Sequence, residues 1–203
     1  VSIKLLEIFD NDLIKALLKN DCVIYGSFVR DVIVQGISLK EYSKKKYNVI
    51  SCYSRYILSD IIERDIYLYT HLKTGVIETK QSKNTIITYE IEIDNNRFIL
   101  EILYIRAIYG TNIYNFENDL NCIIDVDSLS LRRCGLYCLE IFYNSPFLFS
   151  DVIKNIKNKT FEFKTPLTLL SYEDIKYVQS LKNEGYKNRN NKLKTPNNID
   201  ILD

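Results

Sequence analysis

The pattern of apolar and polar residues switches between helical and strand spacing, which predicts a mixed α/β protein. From Leu5 to Leu18 the apolar residues recur at helical spacing around a turn-like Asp-Asn-Asp, and they predict two short helices or one broken helix. Cys22 to Tyr25 is a short apolar run that predicts a strand. Phe28 to Gln35 then predicts a helix that ends at Gly36.

The next part of the chain predicts a lysine-rich connection, a helix and a strand. Glu41 to Tyr47 contains three consecutive lysines and predicts a solvated turn or the start of a helix. Val49 to Ile62 has apolar residues at a spacing that is consistent with a helix. Asp65 to Tyr69 alternates and is rich in strand-forming residues, so it predicts a strand.

A β-hairpin is predicted in the middle of the chain. Ile86 to Ile93 alternates, with Ile87, Tyr89, Ile91 and Ile93 on one face, and an Asp-Asn-Asn turn separates it from the returning strand, Arg97 to Ile105. An edge strand of such a hairpin offers unpaired backbone groups. The hairpin is therefore a candidate surface for a homodimer or a protein partner.

The second half of the chain gives weaker signals. Asn118 to Asp127 is a mixed, strand-like run, whereas Leu129 to Tyr143 is predicted to be helical. Tyr172 to Gly185 predicts a final helix with the glycine near its C-terminus. Asn188 to Asp203 is polar and is predicted to fray or to be disordered.

These elements predict an α/β (α+β) fold, with a mixed, mostly antiparallel sheet and flanking helices, followed by a small helical C-terminal part. The predicted divisions are an α/β domain with N-terminal helices at 1–127, a helical part at 128–187 and a polar tail at 188–203.

Composition says more about the cellular location of the protein than about its function. The net charge is +1 and the residues are 46% hydrophobic, so no global charge favours nucleic acid or membrane, and no segment has the length of a membrane span. Five cysteines, an odd number without dense spacing, favour free thiols in the reducing cytoplasm. The abundance of Ile, Asn, Lys and Tyr is typical of AT-rich genomes, such as those of large DNA viruses, which makes the virion an alternative location.

A Gly-Ser turn between a predicted strand and a predicted helix is the first candidate binding feature. Gly26 lets the backbone approach a ligand closely, and Ser27 caps the helix or contacts a phosphate. Backbone N–H groups at such a turn point towards the helix N-terminus, where an anion is favoured. The purely structural alternative is an ordinary strand–helix turn.

Carboxylates on later strands are the second candidate feature, because metal-dependent nucleotidyl transfer uses carboxylates of adjacent strands to hold Mg²⁺. The strand after the next predicted helix begins Glu63-Arg64-Asp65-Ile66-Tyr67-Leu68, and the returning hairpin strand carries Glu101. With Gly-Ser-Phe-Val-Arg-Asp upstream, this order resembles the polymerase-beta-type nucleotidyltransferase superfamily. Within it, the chain is similar to tRNA CCA-adding and bacterial poly(A) polymerases, over roughly residues 22–127.

The resemblance implies a nucleotidyltransferase-like sheet and the binding of a nucleotide or RNA. Gly26 and Ser27 would hold the triphosphate, and Arg30 would contact the nucleotide or the substrate. Asp65 and Glu101 would hold Mg²⁺ as catalytic carboxylates, together with Glu63.

One position departs from the family pattern. Tyr67 stands where the Asp-x-Asp strand has its second carboxylate, and a phenol is a poor ligand for Mg²⁺. An alternative register pairs Glu63 with Asp65 on one face of the strand. The sequence therefore fits a catalytically impaired or repurposed nucleotidyltransferase, a pseudoenzyme, better than a competent one.

A zinc site is a weaker alternative. Cys134 and Cys138 would lie one helical turn apart, and with Cys122 and His71 they number four potential ligands. Their spacing matches no compact zinc motif, and buried free cysteines are common, so zinc is not favoured. His71 is expected on a loop.

A basic C-terminal segment offers a third kind of interaction. Basic residues with an interleaved aromatic hold single-stranded nucleic acid through phosphate contacts and stacking. The alternative is a solvated tail. The residues concerned are Lys182, Tyr186, Lys187, Arg189, Lys192 and Lys194.

Each candidate site residue also has a structural interpretation. Asp65 would cap the start of a strand, and Glu101 would pair with Arg97 or Arg106 at the surface. The alternative function is therefore a non-enzymatic structural or interaction protein, of viral origin, that uses the fold as a scaffold.

Overall fold

An eight-stranded sheet dominates the computed structural model, which describes residues 2–3, 11–54, 64, 70–78, 85–104, 122–134, 139–143, 148–164 and 169–189. The strands are β1 Ser2–Ile3, β2 Cys22–Tyr25, β3 Val49–Ser54, β4 Thr70–Glu78, β5 Thr85–Ile93, β6 Asn96–Tyr104, β7 Leu129–Arg133, β8 Leu139–Tyr143, β9 Thr160–Phe161 and β10 Lys187–Asn188. The order across the large sheet is β1-β8-β7-β2-β3-β6-β5-β4. Only β3 and β6 pair in parallel within it.

Helices accompany this sheet, which confirms the predicted α/β class and the mixed, mostly antiparallel sheet. The helices are α1 Asp12–Lys19, α2 Leu39–Ser43, α3 Phe149–Asn158 and α4 Tyr172–Asn183, with a π-helix at Val29–Val34 and a turn of 3₁₀-helix at Asp125–Asp127. Helix α4 confirms the predicted final helix. The lysine-rich connection contains the end of α2 followed by a turn.

Local chemistry explains where two of these helices begin or end. The Asn11 side chain accepts a hydrogen bond from the Ile14 N–H at 3.1 Å, so Asn11 caps the start of α1 at Asp12. At the other end of the chain, α4 stops before Gly185, whose φ of +94° is a left-handed conformation that glycine adopts readily.

The predicted hairpin is confirmed as β5 and β6, which pair in register from residue 85 to residue 104. Asp94 and Asn95 form the turn with φ values of 51° and 61°. These left-handed values suit a two-residue hairpin turn, and Asp and Asn tolerate them better than most residues. The predicted alternation is also confirmed, because Ile87, Tyr89 and their apolar neighbours on β5 are buried.

The helix predicted from Val49 to Ile62 is wrong over its described part, where Val49–Ser54 forms β3. Residues on both faces of this strand are buried, Ile50 and Cys52 on one side and Tyr53 on the other. A strand that is buried on both faces does not alternate between apolar and polar residues, so its spacing does not distinguish it from a helix.

The helix predicted from Leu129 to Tyr143 is also wrong, since β7 and β8 occupy most of it and pair antiparallel. Leu129 and Leu131 are fully buried and alternate with polar residues, as expected of a strand. The strand-like run predicted to end at Asp127 ends in a 3₁₀ turn, and residues 118–121 lie outside the described part. The division at residue 127 stays a prediction.

The two faces of the sheet contribute to two apolar clusters. The larger cluster packs the helices against one face, and its strand members include Ile24, Ile50 and Leu100. The smaller cluster lies on the opposite face and contains Val23, Tyr53 and Leu103. Because side chains alternate along a strand, the odd-numbered residues of β2, β3 and β6 share this second face.

Candidate functional site

The structure describes four of the six predicted site residues. Gly26 and Ser27 follow β2, Arg30 lies in the π-helix and Glu101 lies on β6. Glu63 and Asp65 lie outside the described residues, so their proposed role as metal ligands with Glu101 stays a prediction.

The Gly-Ser turn links β2 directly to the helix that follows. Gly26 has a φ of +81°, and the backbone N–H groups of Val29 and Arg30 both donate to its carbonyl. Its own N–H donates to the carbonyl oxygen of Leu129 on β7 at 3.2 Å. The space around Gly26 would hold a Cβ atom, so the positive φ is what favours glycine here.

The Ser27 hydroxyl is held by a buried tyrosine. Its Oγ lies 3.0 Å from the hydroxyl oxygen of Tyr42, and Tyr42 in turn donates to the Val49 carbonyl at 2.7 Å. Tyr42 is completely buried, whereas Ser27 is half-buried. The turn is therefore tied to α2 and β3 through one chain of hydrogen bonds.

Arg30 is buried within a network of polar groups and is only 2% exposed. Its Nε and Nη2 donate to the two carboxylate oxygens of Asp31, at 2.7 and 3.0 Å. Its Nη1 donates to Asp127 at 2.5 Å and to the Tyr177 hydroxyl at 3.2 Å, and that hydroxyl donates to Asp127 at 2.6 Å. These four residues are called the Arg30 network below.

Further contacts extend this network towards the C-terminus. Lys45 donates to Asp31 at 2.7 Å and to Glu184 at 2.6 Å, and the guanidinium carbon of Arg30 lies 5.4 Å from the centre of the Tyr186 ring. The lysine-rich connection and the end of α4 are thereby joined to the π-helix. This placement argues against the predicted role of Arg30 as a contact to nucleotide.

The electrostatics agree with a structural role for the network. Burial opposes ionisation of Asp31, but the hydrogen bonds and charges of Arg30 and Lys45 outweigh it and lower the pKa of that carboxyl. Burial raises the pKa of Asp127, although Arg30 and the Tyr177 hydroxyl favour its charged form. Arg30 and Lys45 thus stabilise the charge of Asp31, whereas burial outweighs the partners of Asp127.

A second set of polar groups crosses the opposite face of the sheet. Glu101 pairs in register with Ser51 on β3 and with Thr88 on β5, and Ser51 pairs with Tyr25 on β2. Tyr25 pairs with Ser130 on β7. Residues paired in register share a face, so these side chains form one line, called the polar row below: Ser130, Tyr25, Ser51, Glu101 and Thr88.

The polar row passes beside the Gly-Ser turn, because its member Tyr25 immediately precedes Gly26. It reaches Glu101 two strands away, which corresponds to about 10 Å at the usual strand separation. Glu101 is half-buried, and burial raises the pKa of its carboxyl. The row was not predicted, because its members come from five strands whose register the sequence does not reveal.

The strand between the turn and Glu101 carries no acidic residue. β3 reads Val-Ile-Ser-Cys-Tyr-Ser over Val49–Ser54, and Ser51 is its member in register with Glu101. Among the described residues, no group of three or more His, Cys, Asp or Glu side chains is arranged to hold a metal. Glu101 is thus the one carboxylate among the five residues of the polar row.

The predicted zinc ligands fall into different parts of the structure. Cys122 lies before the 3₁₀ turn, where its thiol donates to the Ile124 carbonyl, and Cys134 follows β7, whereas Cys138 lies outside the described residues. The expectation that His71 lies on a loop is wrong, because it belongs to β4.

The aromatic member of the basic C-terminal segment is not available to stack on a base. Tyr186 is 3% exposed beneath Arg30, and its hydroxyl accepts a hydrogen bond from Gln35. Lys187 and Arg189 lie in and after β10, while Lys192 and Lys194 lie outside the described residues. The described part of this segment therefore contributes to packing as well as to charge.

Comparison with known proteins does not identify a family for this chain. No model of a known protein family matches the chain, and no curated protein matches it in sequence. Among the described residues, no helix has the length and apolarity needed to cross a bilayer.

Proposed function

We propose that this protein is a nucleotidyltransferase-like domain that binds a nucleotide or RNA beside the Gly26-Ser27 turn, and in which nucleotidyl transfer is impaired or lost. The buried thiols of Cys22 and Cys52 are consistent with a reducing, cytoplasmic environment.

One observation carries the proposal: the strand that ends in the Gly-Ser turn and the strand that carries Glu101 flank a single strand, β3. This arrangement places a candidate phosphate-binding turn and a carboxylate two strands apart in one sheet, and nucleotidyl transfer uses carboxylate-held metal ions beside the triphosphate. At the central position, however, β3 contributes the Ser51 hydroxyl instead of a carboxylate. A neutral hydroxyl is a poor ligand for Mg²⁺ compared with a carboxylate, so binding is retained more easily than catalysis.

Mg²⁺ remains part of the proposal. Glu101 would be one ligand, and Asp65 and Glu63, which lie outside the described residues, would be the others. The metal would neutralise the phosphates of the bound nucleotide.

The test is nucleotide binding by the full chain, measured by titration calorimetry with each of the four NTPs in Mn²⁺. Ser27→Glu places a negative charge at the turn, and we expect it to weaken NTP binding at least tenfold by repelling the phosphates. Ser150→Glu, on the exposed first turn of α3, is the matched control and should bind like the wild type. Equal binding by wild type and Ser27→Glu would contradict the proposed site.

The alternative function, a non-enzymatic scaffold, is favoured by the Arg30 network. In it, the Arg-Asp pair that resembles a nucleotidyltransferase signature is engaged entirely within the fold. A scaffold would bind none of the NTPs and would instead form a stable complex or a homodimer, which sedimentation of the same samples would reveal.

A further inference from the structure

The donors of the Gly-Ser turn decide which chemical groups it receives. A phosphate oxygen accepts hydrogen bonds and donates none at neutral pH when fully ionised, so a phosphate site must present N–H or O–H groups. The Gly26 N–H already donates to Leu129. The Ser27 hydroxyl is therefore the side-chain donor of the turn on which phosphate binding would depend.

Tyr42 determines the direction of that hydroxyl. The Tyr42 ring is fixed between two aromatic residues, edge-on to Phe28 at 5.4 Å and stacked with Phe98 at 6.3 Å. Its single proton goes to the Val49 carbonyl at 2.7 Å. Because the Tyr42 hydroxyl donates its only proton to Val49, its oxygen can only accept a hydrogen bond from Ser27.

That neighbour is Ser27, whose Oγ lies 3.0 Å away. We propose that Tyr42 is a positioning residue that turns the Ser27 O–H towards the interior, so that the turn offers no hydroxyl proton to a phosphate until this bond breaks. The proposal deepens the proposed function and rests on it for its consequence in binding. In the inward state, the Ser27 oxygen presents only lone pairs to a ligand, and so accepts from a ligand O–H or N–H.

The first test removes the acceptor from Tyr42 in the full chain. Tyr42→Phe keeps the packed ring and releases the Ser27 hydroxyl, which gains one hydrogen bond to a phosphate. We expect Tyr42→Phe to bind inorganic triphosphate about two- to tenfold more tightly than the wild type, as one added hydrogen bond would allow. The gain should vanish in the Tyr42→Phe/Ser27→Ala double variant.

This test distinguishes positioning from packing, because a merely structural tyrosine would weaken binding when truncated. Unchanged or weaker binding by Tyr42→Phe, or a gain that persists without the Ser27 hydroxyl, overturns the proposal. Tyr89→Phe, a buried tyrosine of β5, is the control for losing a core hydroxyl and should not gain affinity.

A second measurement decides the hydroxyl direction in the wild type without any substitution or ligand. The proposal predicts a slowly exchanging Ser27 hydroxyl proton with a nuclear Overhauser effect to the Tyr42 ring. A Tyr42 hydroxyl proton that points at Ser27 would overturn it. If no variant binds triphosphate or any NTP, the proposed nucleotide function fails, and this spectrum alone supports or overturns the role of Tyr42.

Discussion

The Arg30 network and the polar row both contain carboxylates, but they surround them with different groups. Asp31 and Asp127 contact a guanidinium, an ammonium and a phenol of the protein itself. Glu101 is paired in register with the hydroxyl residues Ser51 and Thr88. The difference teaches that Asp31 and Asp127 are engaged by charged groups within the fold, whereas Glu101 is paired with neutral residues, which is why we propose Glu101 as the ligand-binding carboxylate.

Breaking the Arg30 network should cause the largest loss of folding stability. Arg30→Met removes the cation and leaves two buried carboxylates without their main partner, so we expect a loss of about 3–5 kcal/mol in the free energy of unfolding. Arg97→Met, at an exposed arginine of β6, is the control and should lie within about 0.5 kcal/mol of the wild type. Urea denaturation measures both. A loss below about 1 kcal/mol for Arg30→Met would show that the network contributes little.

Adding a carboxylate to the polar row should cause an intermediate loss of folding stability. Ser51→Asp places a second carboxylate opposite Glu101, where like charges repel, and we expect a destabilisation of about 1 kcal/mol, or roughly 2–4 °C in Tm. Mn²⁺ should restore the loss, because two facing carboxylates bind a divalent cation and binding to the folded state stabilises it. Ser51→Asn is the control without charge. A Tm for Ser51→Asp that does not respond to Mn²⁺ would contradict the proposed geometry of the row.

The ionisation of Glu101 should change folding stability by the smallest amount. Because burial raises the pKa of this carboxyl in the folded state, folding favours its protonated form. Its contribution to stability is thus fully present below the usual Glu pKa and is lost as the pH rises through the raised value.

Glu101→Gln should therefore remove that decline and become more stable relative to the wild type as the pH rises from 4 towards 7. Solvent around the half-buried side chain keeps the difference small. Glu90→Gln, on the neighbouring strand β5, is the control. Parallel stability curves for wild type and Glu101→Gln over this range would contradict the burial of the carboxyl.

Sequence reasoning succeeded where local pattern and structure coincide. The β5–β6 hairpin alternates and has a turn suited to positive φ, so both its strands and its turn could be predicted. Strand β3 could not, because burial of both faces removes the polar half of the pattern.

The candidate site was predictable only in part for a related reason. Gly26 and Ser27 belong to one local motif, whereas the contact between Arg30 and Asp127 joins residues 97 positions apart. The polar row likewise depends on the register of five strands. Local spacing contains no information on such long-range pairings.

The central claim is that the sheet binds a nucleotide beside Gly26-Ser27 while β3 lacks the carboxylate that transfer requires. The most direct measurement is binding and incorporation of the same labelled NTP, in Mn²⁺ with an RNA acceptor, on one preparation of the full chain. The account predicts saturable binding without incorporation. Incorporation that Glu101→Gln abolishes would contradict it, by showing a complete set of metal ligands and a competent transferase.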